Sequence, residues 1–175
     1  MLLKSGNNEG YRQVCGRMLK LFGPSTNVDE IVMLAHTCAL APEGLDNTAQ
    51  VRQLAERRLA LTPPLSRHYL WSVHILGLAY YRAGEYANAV KHLQKALEDH
   101  ADWEHNVLNW LVLAMAHHRL KHEYEARRWL DEARHWIEHH TGSPAPLDQE
   151  WLAWQAVQIL FGEAEELLKT GGPGQ

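Results

Sequence analysis

Cysteine is nearly missing: Cys15 and Cys38 are the only two in 175 residues. A small secreted scaffold stapled by several disulfides is therefore excluded. One bridge stays open in principle. Both residues lie inside apolar helical patterns, however, and read as two packed thiols in a reducing compartment. An excess of either charge is also missing. Lys and Arg total 17 against 21 Asp and Glu, a net charge of -4. A general nucleic-acid binder shows a basic face or stripe, so no nucleic-acid partner is expected. No run approaches the roughly 18 apolar residues of a membrane span. The opening, MLLKSGNNEG, is too short and too polar for a secretory signal. No membrane partner is expected, and the reading is a soluble, cytoplasmic chain.

Strand signals are absent as well, with no alternating runs joined by Asn-Gly or Asp-Gly turns. So are enzyme motifs: no GxSxG, Walker loop, GxGxxG, HExxH or CxxC occurs. The carboxylates Asp131 and Glu132, and Glu163, Glu165 and Glu166, read as solvated helix faces. Arg57-Arg58 and Arg127-Arg128 read as an outer, convex face with weak ion pairs to nearby Glu56, Glu125 and Asp131. No catalytic residue and no cofactor are expected.

What is present is helical period throughout. Apolar residues make up 46% of the chain, and they recur on single helical faces. Tyr11, Cys15, Leu19 and Phe22 share one face, ended by Gly23-Pro24. Asn27 is a natural N-cap for the next helix. Pro63-Pro64 ends a third. Two more follow around Gly84, two after Trp103, and a last one carries Leu147, Trp151, Trp154, Val157, Leu160, Phe161, Ala164 and Leu168. Trp110, Trp129, Trp151 and Trp154 fit core or inter-repeat slots.

The helix pairs repeat. Val73, Leu76, Gly77 and Tyr80 on one helix are followed by Ala89, Leu93 and Ala96 on the next. Trp110, Leu113, Ala114 and His117, then Ala126, Leu130 and Ala133, repeat the pattern. Ile31, Leu34, Ala35 and Cys38, then Val51, Ala55 and Pro63, precede it. Small residues fall where helices approach closely, and large ones fill the gaps beside them. This pattern resembles the tetratricopeptide repeat, W-x2-L-G-x2-Y followed by A-x3-F. Val73 stands for the Trp, Leu93 for the aromatic, and Ala101 for the closing Pro. From Leu34 to Leu76 is 42 residues and from Leu76 to Leu113 is 37. The family period is about 34, so the excess falls in the loops.

The resemblance implies an all-α fold, a right-handed α-solenoid of antiparallel helix pairs. It has about three and a half repeats plus a C-terminal capping helix. The segments are 1–24 as an N-terminal half repeat, 27–63, 68–101 and 105–140 as repeats, 146–169 as the cap, and 170–175 as a frayed tail. The stretches CALAP, YYRAGEYANAV and EARRWLDEAR further resemble the repeat tails of large bacterial regulatory proteins carrying kinase or WD-repeat modules.

The histidine-rich stretch around Ala114–Leu130 invites a metal reading. His118 and His122 are four apart, as are His135 and His139. A turn separates the first pair, the second sits at a helix end suited to cations, and no third ligand lies at a fixed short spacing. No metal is expected.

The family's first helices line a concave groove. Carried over by position, the lining is Trp71, His74, Leu78, Tyr81 and Arg82 in one repeat. It is Leu108, Leu111, Met115, His118 and Arg119 in the next, and Asp29, Val32, His36 and Ala39 in the first. His74, Leu78, Leu111 and Met115 occupy the slots of the Lys/Asn carboxylate clamp, so a chaperone-tail receptor is disfavoured. The function implied is a non-catalytic scaffold that binds a protein or peptide partner, in a larger regulatory protein whose other domains could also cover the groove. The alternatives are a metal- or pH-responsive module in the third repeat, and self-assembly through the half repeat.

The repeat register makes Gly77 a close-approach position. Gly77→Leu is expected to lower unfolding stability by about 1–3 kcal/mol in denaturant titration. A neutral outcome would sink the register.

Overall fold

The computed structural model describes residues 7–25, 27–40, 48–66, 68–140 and 149–170, and the side chains of residues 28, 29, 32, 149–151 and 170 are left undescribed. Among the described residues there are eight α-helices and no strand. They are α1 (Asn8–Phe22), α2 (Val28–Ala39), α3 (Thr48–Leu61), α4 (Tyr69–Arg82), α5 (Tyr86–Asp99), α6 (Asn106–Arg119), α7 (Glu123–His140) and α8 (Gln149–Thr170). The architecture is all-α and tetratricopeptide-like. The chain divides into two units, Met1–Glu85 and Tyr86–Gln175.

In the first unit, α1 starts where Asn7 accepts the Gly10 amide at 2.8 Å and stops where the Gly23 amide donates to the Leu19 carbonyl. It buries Tyr11, Cys15 and Leu19, one per turn, against α2. Phe22, expected on that face, is instead 41% exposed, because the stripe runs off the end of the helix. Asn27 caps α2 as its residue type implies, accepting the Glu30 amide at 3.4 Å, while Ser25 donates to the Glu30 carboxylate. The helices α2, α3 and α4 pack on one another.

The arginines of α3 depart from expectation. Arg58 is 2% exposed. Arg57 donates to the carbonyls of Gly23 and Ser25 at 2.8 and 2.9 Å. Neither belongs to a solvated outer face: Arg57 ties α3 to the α1–α2 turn, where free carbonyls need donors. Arg127 and Arg128 on α7 are exposed, as expected, with Arg128 lying 4.9 Å from the Trp129 ring centre.

In the second unit, α6 packs against α5, α7 and α8. Outer helices bury single stripes: Ala89, Leu93 and Ala96 on α5, and Ala126, Leu130 and Ala133 on α7. The two stripes are offset by 37 residues, matching the step between Leu76 and Leu113. The helix α8 buries Ala153, Ala156, Val157, Leu160 and Ala164. Trp110, Trp129 and Trp154 are half-buried rather than enclosed, as wide rings at the edge of small-residue seams must be. Leu147 and the Trp151 side chain lie outside the described residues, as does residue 26 and the 41–47, 67, 141–148 and 171–175 stretches.

The ends of α4 and α6 share one geometry. After α4 the amides of Ala83, Gly84 and Glu85 donate to the carbonyls of Ala79, Tyr81 and Tyr80. After α6 the amides of Leu120, Lys121 and His122 donate to those of Ala116, His118 and His117. The reversal needs one left-handed residue just past each helix. Gly84 fills it at φ 79°, and Lys121 at φ 65°. Glycine adopts this conformation freely, whereas a side chain costs about 1 kcal/mol or more. Lys121→Gly is therefore expected to raise stability by about 0.5–1 kcal/mol, and Gly84→Ala to lower it by about 1 kcal/mol although open space surrounds Gly84. Urea midpoints check both, and a destabilised Lys121→Gly chain would refute the shared turn.

Candidate functional site

The residues expected to line a groove belong to α2 and α4 in the first unit and, with Arg119 as its last residue, to α6 in the second. In the first unit, three rings meet. His36, Trp71 and His74 stand edge to face with centroids 6.1, 6.4 and 6.3 Å apart. His74 has no exposed surface, while Trp71 is half-buried with its remaining surface open. Burial alone pushes the His36 imidazole down to about 4, so this ring is uncharged at neutral pH. The side chains of Asp29 and Val32 lie outside the described residues, and Ala39 is buried.

Leu78 has no exposed surface and Tyr81 only 5%. Arg82 has a structural task instead. Its Nε donates to the Ala39 carbonyl at 2.7 Å and an Nη to Leu40 at 2.9 Å, with the guanidinium 5.2 Å from the Tyr81 ring centre. A cation at the C-terminus of α2 meets the negative end of the helix and its unpaired carbonyls. Arg82 is a cap for α2 rather than a free anchor.

In the second unit the correction is larger. Leu108, Leu111 and Met115 have no exposed surface, because α5, α7 and α8 close around α6. They are core, and cannot present surface to a partner while these helices stay packed. His118 is 6% exposed and its Nδ1 lies 3.5 Å from the Glu123 carboxylate. Arg119 is exposed at the end of the helix.

The turn after α6 sets the histidine pairing. His122 meets His117 rather than His118, with Nδ1 to Nδ1 at 3.2 Å. The tight turn after α6 folds the chain back so that residues five apart touch. Burial first, then the neighbouring His122, push the His117 imidazole down, and Glu125 pulls the other way. At the end of α7, His139 and His140 donate to the carbonyls of His135 and Trp136, each at 2.7 Å, the helix-end role their position implies. Among the described residues, no three His, Cys, Asp or Glu side chains converge as a metal site would need.

Beside this turn lies an open cleft of about 430 Å³, formed by Ala87, Val90, Lys91, Gln94, Lys95 and Glu98 of α5 with Leu120 and His122. Sequence reasoning missed it, since it lies on a second helix; the Lys91 and Lys95 pair one turn apart is its only mark in the sequence.

The family model of the tetratricopeptide repeat matches residues 73–100. The chain carries a tetratricopeptide-type repeat. The match takes in Val73, Leu76, Gly77, Tyr80, Ala89, Leu93 and Ala96, the residues that defined the repeat in the sequence. No curated protein and no solved structure matches the chain. Repeats of this type generally mediate protein–protein interaction, and no described helix is long and apolar enough to cross a membrane.

The buried imidazoles set a pH dependence. His36 and His117 hold folded values below their unfolded ones, so the unfolded chain takes up protons that the folded chain refuses. These two groups add no pH dependence above about pH 7 and lower stability as pH drops through about 6.5. For His36 the loss reaches about 3 kcal/mol near pH 4. Urea midpoints between pH 7.5 and 4.5 should show this fall, and His36→Phe should flatten it. An unchanged slope in the variant would reject the assignment.

Proposed function

We propose that the chain is a non-catalytic protein-interaction scaffold. It captures a peptide or partner segment on the surfaces of its first helices, by shape and hydrophobic anchoring, within a larger regulatory protein. The observation that carries this reading is the tetratricopeptide match over residues 73–100, together with the partly open Trp71 on the helix that begins it. A tryptophan contributes wide apolar contact at low entropic cost, which is why it dominates binding hot spots. In the first unit the anchor is Trp71, set by its edge contacts with His36 and His74. In the second it is Arg119. His74, Leu78, Leu108, Leu111 and Met115 support these anchors from below by fixing the helices that carry them.

The test selects peptides from a random displayed library on the immobilised chain and measures their affinity by calorimetry. Trp71→Ala should weaken binding by about tenfold or more, corresponding to at least about 1.4 kcal/mol. Arg119→Ala should weaken it less, and Arg82→Ala should act through stability. Unchanged affinity in both Trp71→Ala and Arg119→Ala would overturn the proposal.

A second reading is favoured by the His117–His122 contact. Burial and the neighbouring His122 hold the His117 imidazole down, so protonating it would put a charge in a part-buried position at the turn after α6, an arrangement suited to an acid-responsive module. If so, His122→Asn reduces the loss of stability below about pH 6.5; a profile like that of the parent chain argues for the scaffold alone.

A further inference from the structure

We propose that Cys15 and Cys38 form an oxidant-sensitive latch, in which a disulfide between them fixes α1 to α2. The proposal is independent of which partner the scaffold binds.

The geometry places the two thiols against each other at the centre of the α1–α2 seam. Cys15 has no exposed surface and Cys38 has 3%. The Cys38 sulfur lies 4.0 Å from the Cys15 carbonyl oxygen. Both are free thiols. They are the chain's only cysteines, so no other intramolecular pairing competes. One turn away, the Tyr11 hydroxyl donates to the Thr37 carbonyl, keeping the helices in register.

The latch has something to hold. Within the first unit α1 packs against α2 and against no other described helix. Its buried residues are Tyr11, Cys15 and Leu19. A helix attached along one narrow stripe opens more readily than one enclosed on several sides. Such opening also admits a small oxidant to thiols that are closed off in the packed state.

The oxidant class is a hydroperoxide, the simplest being hydrogen peroxide. The Cys15 thiolate attacks one peroxide oxygen, the O–O bond breaks, and hydroxide leaves and takes up a proton to become water. Cys15 is now a sulfenic acid. The Cys38 sulfur then attacks the Cys15 sulfur, the S–O bond breaks, and a second water leaves. Two thiols have lost two protons and two electrons, and the peroxide has been reduced to two waters. The reverse order, with Cys38 attacking and Cys15 resolving, gives the same bridge and the same two waters.

The experiment treats the full chain with hydrogen peroxide, then measures intact mass under denaturing conditions and amide exchange by peptide. The wild type is expected to lose two hydrogens, about 2 Da, without dimerising. Amides of α1 should then exchange about tenfold more slowly and return to their starting rates after thiol reductant. Cys38→Ser and Cys38→Ala, with helicity checked by circular dichroism, should stop at a Cys15 sulfenic acid trapped by dimedone. Three results overturn the proposal. The wild type could gain oxygen instead of losing hydrogen. It could stay reduced under conditions that oxidise the urea-unfolded chain. Or it could form the bridge with no change in α1 exchange.

Discussion

A run of helix with every residue buried has no polar face to spare, and α4 and α6 each contain such a run. Ser72 to Ala79 are buried without a break, as are Leu111 to His118. Their neighbours must reach them closely, which small residues allow. Ala89, Ala96, Ala126 and Ala133 supply that on the outer helices of the second unit, and Ala114 supplies it on α6. Close approach removes apolar surface from water and brings atoms to the density of an organic crystal.

Polar groups inside these helices must then be neutral or bonded. Asn106 donates to the carbonyls of His100 and Ala101 and accepts from Asn109. Ser72 shares a hydrogen bond with Thr62. His36, pushed to about 4, remains an uncharged ring among rings. Helix ends obey the same rule. Arg82 and Arg57 reach across to the carbonyls of neighbouring turns, so residues that look like surface charges hold elements together. Charge at these positions serves the backbone first.

Much of this was legible in the chain of letters. The buried stripes on α1, α5 and α7 follow the apolar spacing, and the caps at Asn27 and Gly84 follow residue type. The 37-residue repeat of Ala89, Leu93 and Ala96 as Ala126, Leu130 and Ala133 follows from alignment alone. The site was legible only as a set of positions. Spacing says which residues share a helical face, but not how many other helices press on that face. Leu108, Leu111 and Met115 were read as a lining because the family presents that face, and they are core because α8 joins α5 and α7 around α6.

The sequence by itself determined the helical class and the repeat at residues 73–100, because these rest on period, cap chemistry and small-residue spacing, all local along the chain. Tertiary structure alone decided which face stays open, that Arg82 and Arg57 bind carbonyls, and that His117 meets His122. It also set Cys15 against Cys38. Each of these depends on where a distant segment returns, and the energy that fixes the return is summed over the whole seam rather than written in any one stretch.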